Sequence, residues 1–238
     1  MKASVFLAVY DKNKDLPNVL TSLSRQKTSF PYEVCILDDC SPVDPTPLIQ
    51  QYLPSARYKR LTKNIGSRQN GIELMQLASP DSDIIIHASS EIIFVQDDVI
   101  ERMCQLVKPG VVVAAQVLDA PISPDMHKDF DQWQVNTLSN WDKIQQQNIV
   151  YSGTTRPGVW LFLSALTRDD FYKINWHNRK CDRVNHYVLD ENNISLFHDD
   201  SIKSIHQRHP SYFHSCPELT TCPYVHRGQG TKFPKGCR

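Results

Sequence analysis

The chain has 238 residues, with 26 Lys plus Arg against 26 Asp plus Glu, 40% hydrophobic residues, 8 Gly and 15 Pro. These values fit one large folded domain or two small ones and exclude collagen-like, disordered and low-complexity chains. A formal net charge of zero lacks the basic excess that phosphate neutralisation needs, so nucleic acid is not an expected partner.

The first apolar run, from Ala3 to Tyr10, is too short to cross a bilayer. Asp11-Lys12-Asn13-Lys14-Asp15 follows it where a leader peptide would need small residues, so neither a transmembrane nor a secretory segment is expected. Residues 5–9, 33–37, 84–86 and 111–115 are continuous apolar runs, the pattern of strands covered on both faces. Between them apolar residues recur at helical spacing: Leu16, Val19, Leu20 and Leu23; then Ile72, Leu74 and Met75; then Val99, Ile100, Met103, Cys104 and Val107. This alternation predicts an α/β fold with a mostly parallel central sheet flanked by helices and ligand loops at the carboxyl ends of its strands. It breaks down near Gln116, and the apolar run 158–163 restarts the sheet. Asp190-Glu191-Asn192 is expected to lead into a helix whose apolar side is Leu189, Ile194 and Leu196.

Seven cysteines are too few for a disulfide scaffold, and the odd count leaves a thiol unpaired, which fits a reducing, cytoplasmic compartment, free or at a membrane surface. From His206 onward the chain holds four of its nine His and three of its seven Cys among prolines, and an irregular tail is expected. The set His209, His214, Cys216 and Cys222 offers N and S donors, but its spacing matches no standard zinc pattern, so a structural zinc is not expected.

Four segments carry candidate chemistry. Asp38-Asp39-Cys40-Ser41 places two carboxylates at the end of a strand, where they can accept from a nucleoside or cap a turn. No Gly-rich phosphate loop follows them, which disfavours a dinucleotide or P-loop site. Asn64-Ile65-Gly66-Ser67-Arg68 opens a helix and can offer backbone N–H groups and positive charge to an anion. Ser89-Ser90-Glu91 ends another strand, and Asp190-Glu191 adds an acidic pair. Each alone is an ordinary turn or helix cap.

Taken in order, they resemble family 2 glycosyltransferases of the GT-A fold. The opening strand with Tyr10 and the helix through Leu20-Thr21-Ser22-Leu23 resemble that family's start, Asp38-Asp39-Cys40-Ser41 its D-D-G-S turn, and Asn64 through Gly71 its N-x-G-x-x-x-A-x-N-x-G segment. Ser89-Ser90-Glu91 stands where the family has its metal-binding D-x-D. Arg156-Pro157-Gly158 and residues 163–171 resemble the acceptor-side strand and turn, and Asp190-Glu191 stands where it has E-D.

The resemblance implies transfer of a sugar from a nucleoside-diphosphate sugar to an acceptor hydroxyl, on a glycan, lipid-linked or protein acceptor, with inversion. It implies a donor site of Asp38, Asp39, Asn64, Gly66, Arg68, Ser89 and Ser90. A divalent cation, Mn or Mg, would be held by Glu91 with His206 or His209, and Glu191, or else Asp190, would be the acceptor's base. Residues 1–115 would form the nucleotide-sugar half, 116–209 the acceptor half and 210–238 a tail. Ser89 departs from D-x-D and removes one hard carboxylate ligand. That departure keeps open a degenerate, non-catalytic member that binds nucleotide or glycan. A nucleotidyltransferase is a further alternative, but the Gly-rich basic signature it needs after Val9 is missing.

Overall fold

The computed structural model describes residues 1–120, 162–174, 189 and 191–207. In chain order the elements are β1 (Ala3–Val9), α1 (Leu16–Ser24), β2 (Tyr32–Asp38), α2 (Thr46–Tyr52), β3 (Arg57–Arg60), α3 (Ser67–Leu77), β4 (Ile84–Ser89) and β5 (Ile92–Phe94). They continue with α4 (Val99–Leu106), β6 (Val111–Ala120), β7 (Leu163–Thr167), α5 (Arg168–Ile174) and β8 (Ser195–Gln207). The strands form one eight-stranded sheet in the order β3-β2-β1-β4-β7-β6-β8-β5. Strands β3, β2, β1 and β4 run parallel, β7 runs antiparallel to both β4 and β6, and β8 is parallel to β6 and antiparallel to β5.

The continuous apolar strands follow from cover on both faces. On β1, Val5, Leu7 and Val9 pack into one layer with Leu16, Val19, Leu20 and Leu23 of α1 and Val99, Ile100 and Met103 of α4. Phe6 faces the other layer, with Leu74 and Met75 of α3 and Phe171 and Ile174 of α5, and its ring meets Phe171 edge-on at 5.5 Å. Alternate residues of one strand thus serve two cores, so no position on β1 stays polar except Ser4. Ile72 departs from the expected apolar face of α3 and is 42% exposed, because Leu74 and Met75 take the buried side.

Three strands lay outside the sequence expectation. β3 reads Arg-Tyr-Lys-Arg and sits at the sheet edge, where charge is tolerated and discourages further pairing. β5 is three residues long. β8 cuts short the expected helix, which is helical at Leu189 and Glu191 but ends before Ile194: Ile194 and Leu196 are two residues apart, a strand spacing, and the Ser195 N–H donates to Gly110 O at 2.8 Å to begin pairing along β6. The pairing shifts between Ala115 and Gln116, so the expected boundary at 115/116 falls inside β6, within a sheet common to both halves. Among the described residues no helix is long and apolar enough to cross a membrane. The described cysteines, Cys35, Cys40 and Cys104, are free, and burial pushes the Cys35 and Cys104 thiols up to about 12, as for inert core residues.

At the amino edge of the sheet, Glu33 ties β2 to the turn after α3. Its carboxylate accepts from Ser4 Oγ at 2.6 Å, Ser79 N at 2.6 Å, Ser79 Oγ at 2.8 Å and Arg57 Nη1 at 3.2 Å. Burial opposes the charge, but these donors hold its pKa down to about 2. Hydrogen bonds to a charged group contribute about 1.5–3 kcal/mol. Glu33→Gln is therefore expected to lower stability by about 2 kcal/mol in urea unfolding at neutral pH. The difference from the parent should close as pH falls from about 4.5 towards about 2, where the parent's own carboxylate takes a proton.

Candidate functional site

The sheet order reverses between β1 and β4: the chain moves outward from β1 to β2 and β3, then returns to β4 on the other side. The loops leaving the carboxyl ends of β1, β2 and β4 therefore open a crevice at that edge, the usual ligand position in an open α/β sheet. Asp11 and Lys12, Asp38 to Ser41, and Ser89 to Glu91 all lie there.

Asp38 is fully buried and faces protein. Its Oδ1 accepts from the Ser41 N–H at 2.9 Å and from the Ser41 hydroxyl, and its Oδ2 lies 3.3 Å from Arg60 Nε. Arg60 also donates to Ser41 O at 2.8 Å and pairs with Asp44, clamping the turn from β3. Cys40 stands in this turn at φ 64, in the left-handed region where the family pattern has Gly.

Asp39 is 2% exposed, and its two oxygens take the N–H groups of Ile65 at 2.7 Å and Gly66 at 2.9 Å. Asn70 Nδ2 adds a contact at 3.4 Å. Two expectations change together. The amides that open α3 do bind an anion, but it is the Asp39 carboxylate and not a ligand phosphate. Asp38 and Asp39, expected to touch a nucleoside, give these oxygens to the Ser41 turn and to the loop at Ile65 and Gly66. Gly66 has φ 82, which a side chain rarely adopts, so this loop needs glycine. Asn64 is exposed beside it, and Arg68 occupies the first turn of α3, with its side chain outside the described residues.

Glu91 forms the centre of the crevice. Its side chain is 9% exposed; Oε1 lies 3.3 Å from His206 Nε2, and Oε2 lies 3.8 Å from Lys12 Nζ and 3.2 Å from Ser90 Oγ. Burial opposes its charge, but the hydrogen bond from His206, the Lys12 ammonium, the His206 ring and Ser89 hold its pKa down to about 2. Burial in turn pushes the Lys12 ammonium down, against the pull of Glu91, Asp15 and Asp11. Asp15 is 3% exposed, and its Oδ1 has no hydrogen-bond donor among the described residues. Burial pushes its pKa up to about 7; Lys12 opposes this, Glu91 adds to it, and His206 and Lys14 oppose it. The end of β8 is fastened to this cluster by Gln207, whose N–H donates to Glu91 O at 3.1 Å and whose side chain meets Asn18 at 2.8 Å and Asp15 O at 3.2 Å. The His206 ring lies against Phe162 at 4.7 Å.

The structure brings together Ser90, Glu91 and His206, with Ser89 adjacent at the end of β4. A carboxylate and an imidazole at 3.3 Å suit Mn. Among the described residues no group of three or more His, Cys, Asp or Glu could hold a metal ion, so Glu91 and His206 are the two protein ligands that a divalent cation would find here. Asp190, His209, the tail donors and Arg156-Pro157-Gly158 lie outside the described residues.

Glu191 is not part of this cluster. It is exposed and precedes Ser195, which pairs with Val111 at the start of β6, whereas His206 pairs with Asp119 near its end. Those two levels are eight strand residues apart, roughly 26 Å. Because β6 runs in the direction of β4, Glu191 stands at the amino edge with Gly110 and Asp170, away from the crevice. The expected acceptor base is therefore on the wrong side of the sheet. Sequence reasoning missed Lys12, Asp15, Arg60 and Gln207. Only Lys12 and Asp15 had a local signal, as charges directly after a buried strand.

The family model for Glycosyl transferase family 2 matches residues 4–158. No curated protein sequence matches the chain. Among solved structures, the mannosyltransferase PcManGT from Pyrobaculum calidifontis, in complex with GDP-Man and Mn2+, aligns with a TM-score of 0.57 at 12% identity, over 85% of this chain and 56% of its own. This chain thus spans little more than half of that relative. S. aureus TarS 1-349 in complex with UDP-GlcNAc aligns at 20% identity and a TM-score of 0.43, over 52% of this chain and 36% of its own. At 12% identity the likeness to PcManGT concerns the fold alone.

Asp15 makes stability depend on pH with a defined sign. Below about 3.8 the carboxyl is protonated whether folded or not; between 3.8 and about 7 the unfolded chain loses the proton that the folded protein keeps, so stability falls as pH rises. Asp15→Asn is expected to match the parent at pH 4 and to melt at a higher temperature than the parent at pH 8. Thermal unfolding at the two pH values checks this, and an equal difference at both would remove the titration of Asp15 from the account.

Proposed function

The chain belongs to glycosyl transferase family 2, and from that premise we propose that it transfers a hexosyl group from a nucleoside-diphosphate sugar to an acceptor hydroxyl, with inversion. The observation that carries this reading is the meeting of Glu91 and His206, 115 residues apart in sequence, at the crevice where the sheet order reverses. Membership gives the GT-A fold, and the crevice puts a buried acid, an imidazole and two serine hydroxyls where a donor diphosphate would lie.

In this reading Glu91 and His206 hold a divalent cation, Mn or Mg, and Ser89 and Ser90 line the donor side. When bound, the cation takes up negative charge on the leaving nucleoside diphosphate. The chain's own residues do the rest. Asp38, clamped by Arg60, fixes the β2 turn, and Asp39 holds the loop at Ile65 and Gly66, so that the walls beside the nucleoside are formed before it arrives. Arg68, at the start of α3, is assigned to the diphosphate. A cytoplasmic setting accords with the free described thiols.

The reading is tested by donor binding and turnover on one set of variants. Glu91→Gln should weaken the stabilisation that UDP or GDP gives in the presence of Mn, and Ser89→Asp should strengthen it by supplying a second hard oxygen ligand. Nucleotide binding without any turnover of a panel of donors would instead support a non-catalytic member, the reading favoured by Ser89.

Glu191 supplies a separate test. A general base is worth roughly 100-fold or more in turnover, so a true base would show this loss on Glu191→Gln. From its place at the amino edge, Glu191→Gln is expected to leave turnover within about twofold. A loss near 100-fold would return the acceptor proton to Glu191 and require the chain around it to reach the crevice.

A further inference from the structure

Lys12 remains without a role when Glu91 and His206 are read as cation holders. It lies on the loop between β1 and α1, 7% exposed, with Nζ 3.8 Å from Glu91 Oε2. Glu91 therefore has a different partner on each oxygen: His206 on Oε1 and the Lys12 ammonium on Oε2. The Lys12 ammonium offsets the Glu91 carboxylate, and Asp15 and Asp11 also act on that ammonium. A divalent cation entering alone meets one acid already neutralised, a serine at position 89 and an ammonium beside its carboxylate ligand. Repulsion between like charges is strongest where water is largely excluded. Asp15 does not make up the missing ligand, since no three acidic, His or Cys side chains converge among the described residues.

We propose that Lys12 is a built-in counter-ion of Glu91 that keeps a divalent cation off the site until a nucleoside diphosphate brings its own negative charge, so that cation and diphosphate bind together. The inference rests on the reading that Glu91 and His206 hold the cation. A diphosphate offsets the cation and the ammonium at once, which makes the complex of all three favourable where protein and cation alone are not. Coupling of this kind is reciprocal: the cation must tighten the diphosphate as much as the diphosphate tightens the cation. Lys12 is a positioning residue in this account, because it acts on the cation through Glu91.

The test measures free Mn by electron paramagnetic resonance during titration of the whole chain, with Mn alone and with UDP or GDP added, independently of any turnover. The parent should hold Mn at least about tenfold more tightly with a diphosphate than without. Lys12→Met keeps a buried side chain of similar length without charge; it should bind Mn alone about tenfold more tightly than the parent, with the coupling reduced, while Lys12→Arg keeps the parent's pattern. Thermal unfolding should show Mn alone raising the melting temperature of Lys12→Met more than that of the parent. If Lys12→Met holds Mn alone as weakly as the parent while a diphosphate still recruits Mn to both, Lys12 is not the counter-ion, though the cation reading stands. Should Lys12→Met not fold, the parent decides: Mn bound equally well with and without diphosphate overturns the inference. Mn bound to neither parent nor variants under any condition sinks the cation reading and this inference with it.

Discussion

A carboxylate buried at the carboxyl edge of a sheet has lost most of its water and stays ionised only if the protein supplies cations and donors in its place. Glu91 is that carboxylate, and three separate parts of the chain answer it. Lys12 comes from the loop after β1, Ser89 and Ser90 from the end of β4, and His206 from the far end of β8. Gln207 then binds the backbone of Glu91 and the side chain of Asn18, so the last described strand is fastened to the first helix through the same few atoms. Removing the acid would leave a buried ammonium and an imidazole without a common partner.

The second buried carboxylate of the crevice works differently. Asp39 accepts the two N–H groups at the opening of α3, a place where an external anion is often bound. Supplying the anion from within ties the loop to β2 and takes up both donors. Asp38 and Arg60 do the same for the neighbouring turn, where Cys40 holds a left-handed conformation in place of glycine. A crevice walled by internal ion pairs is already shaped before any nucleotide enters, which suits the positioning task of a transferase.

The two edges of the sheet have separate duties. At the carboxyl edge, Lys12, Asp15 and Glu91 are buried, act on one another and are shifted in pKa. At the amino edge, Glu33 and Asp170 are each wrapped by donors that join loops to strands, and Glu191 is exposed. Acidity alone does not separate these roles, because Glu33 and Glu91 both have pKa values near 2. Their partners do: Glu33 is satisfied by Ser4, Ser79 and Arg57, and Glu91 by groups that a bound ligand could also use.

The sequence by itself determined β1, β2 and β4 of the parallel half of the sheet, and β6 beyond it. Continuous apolar runs at β1, β2, β4 and β6 and helical spacing at α1 and α4 are local patterns that burial on two faces imposes residue by residue. It also marked the crevice, since Asp38, Asp39 and Glu91 each follow a buried strand, and the order of weak motifs pointed to the family. Tertiary structure alone decided β3, β5 and β8, whose short or polar sequences become strands only because an edge with unpaired N–H and C=O groups lies beside them. It also decided what each charge does. The direction of β8 sends His206 to the crevice and Glu191 to the opposite edge, although only 15 residues separate them. Lys12 becomes a buried counter-ion because its loop closes over Glu91, a contact between positions 79 residues apart that no local pattern encodes.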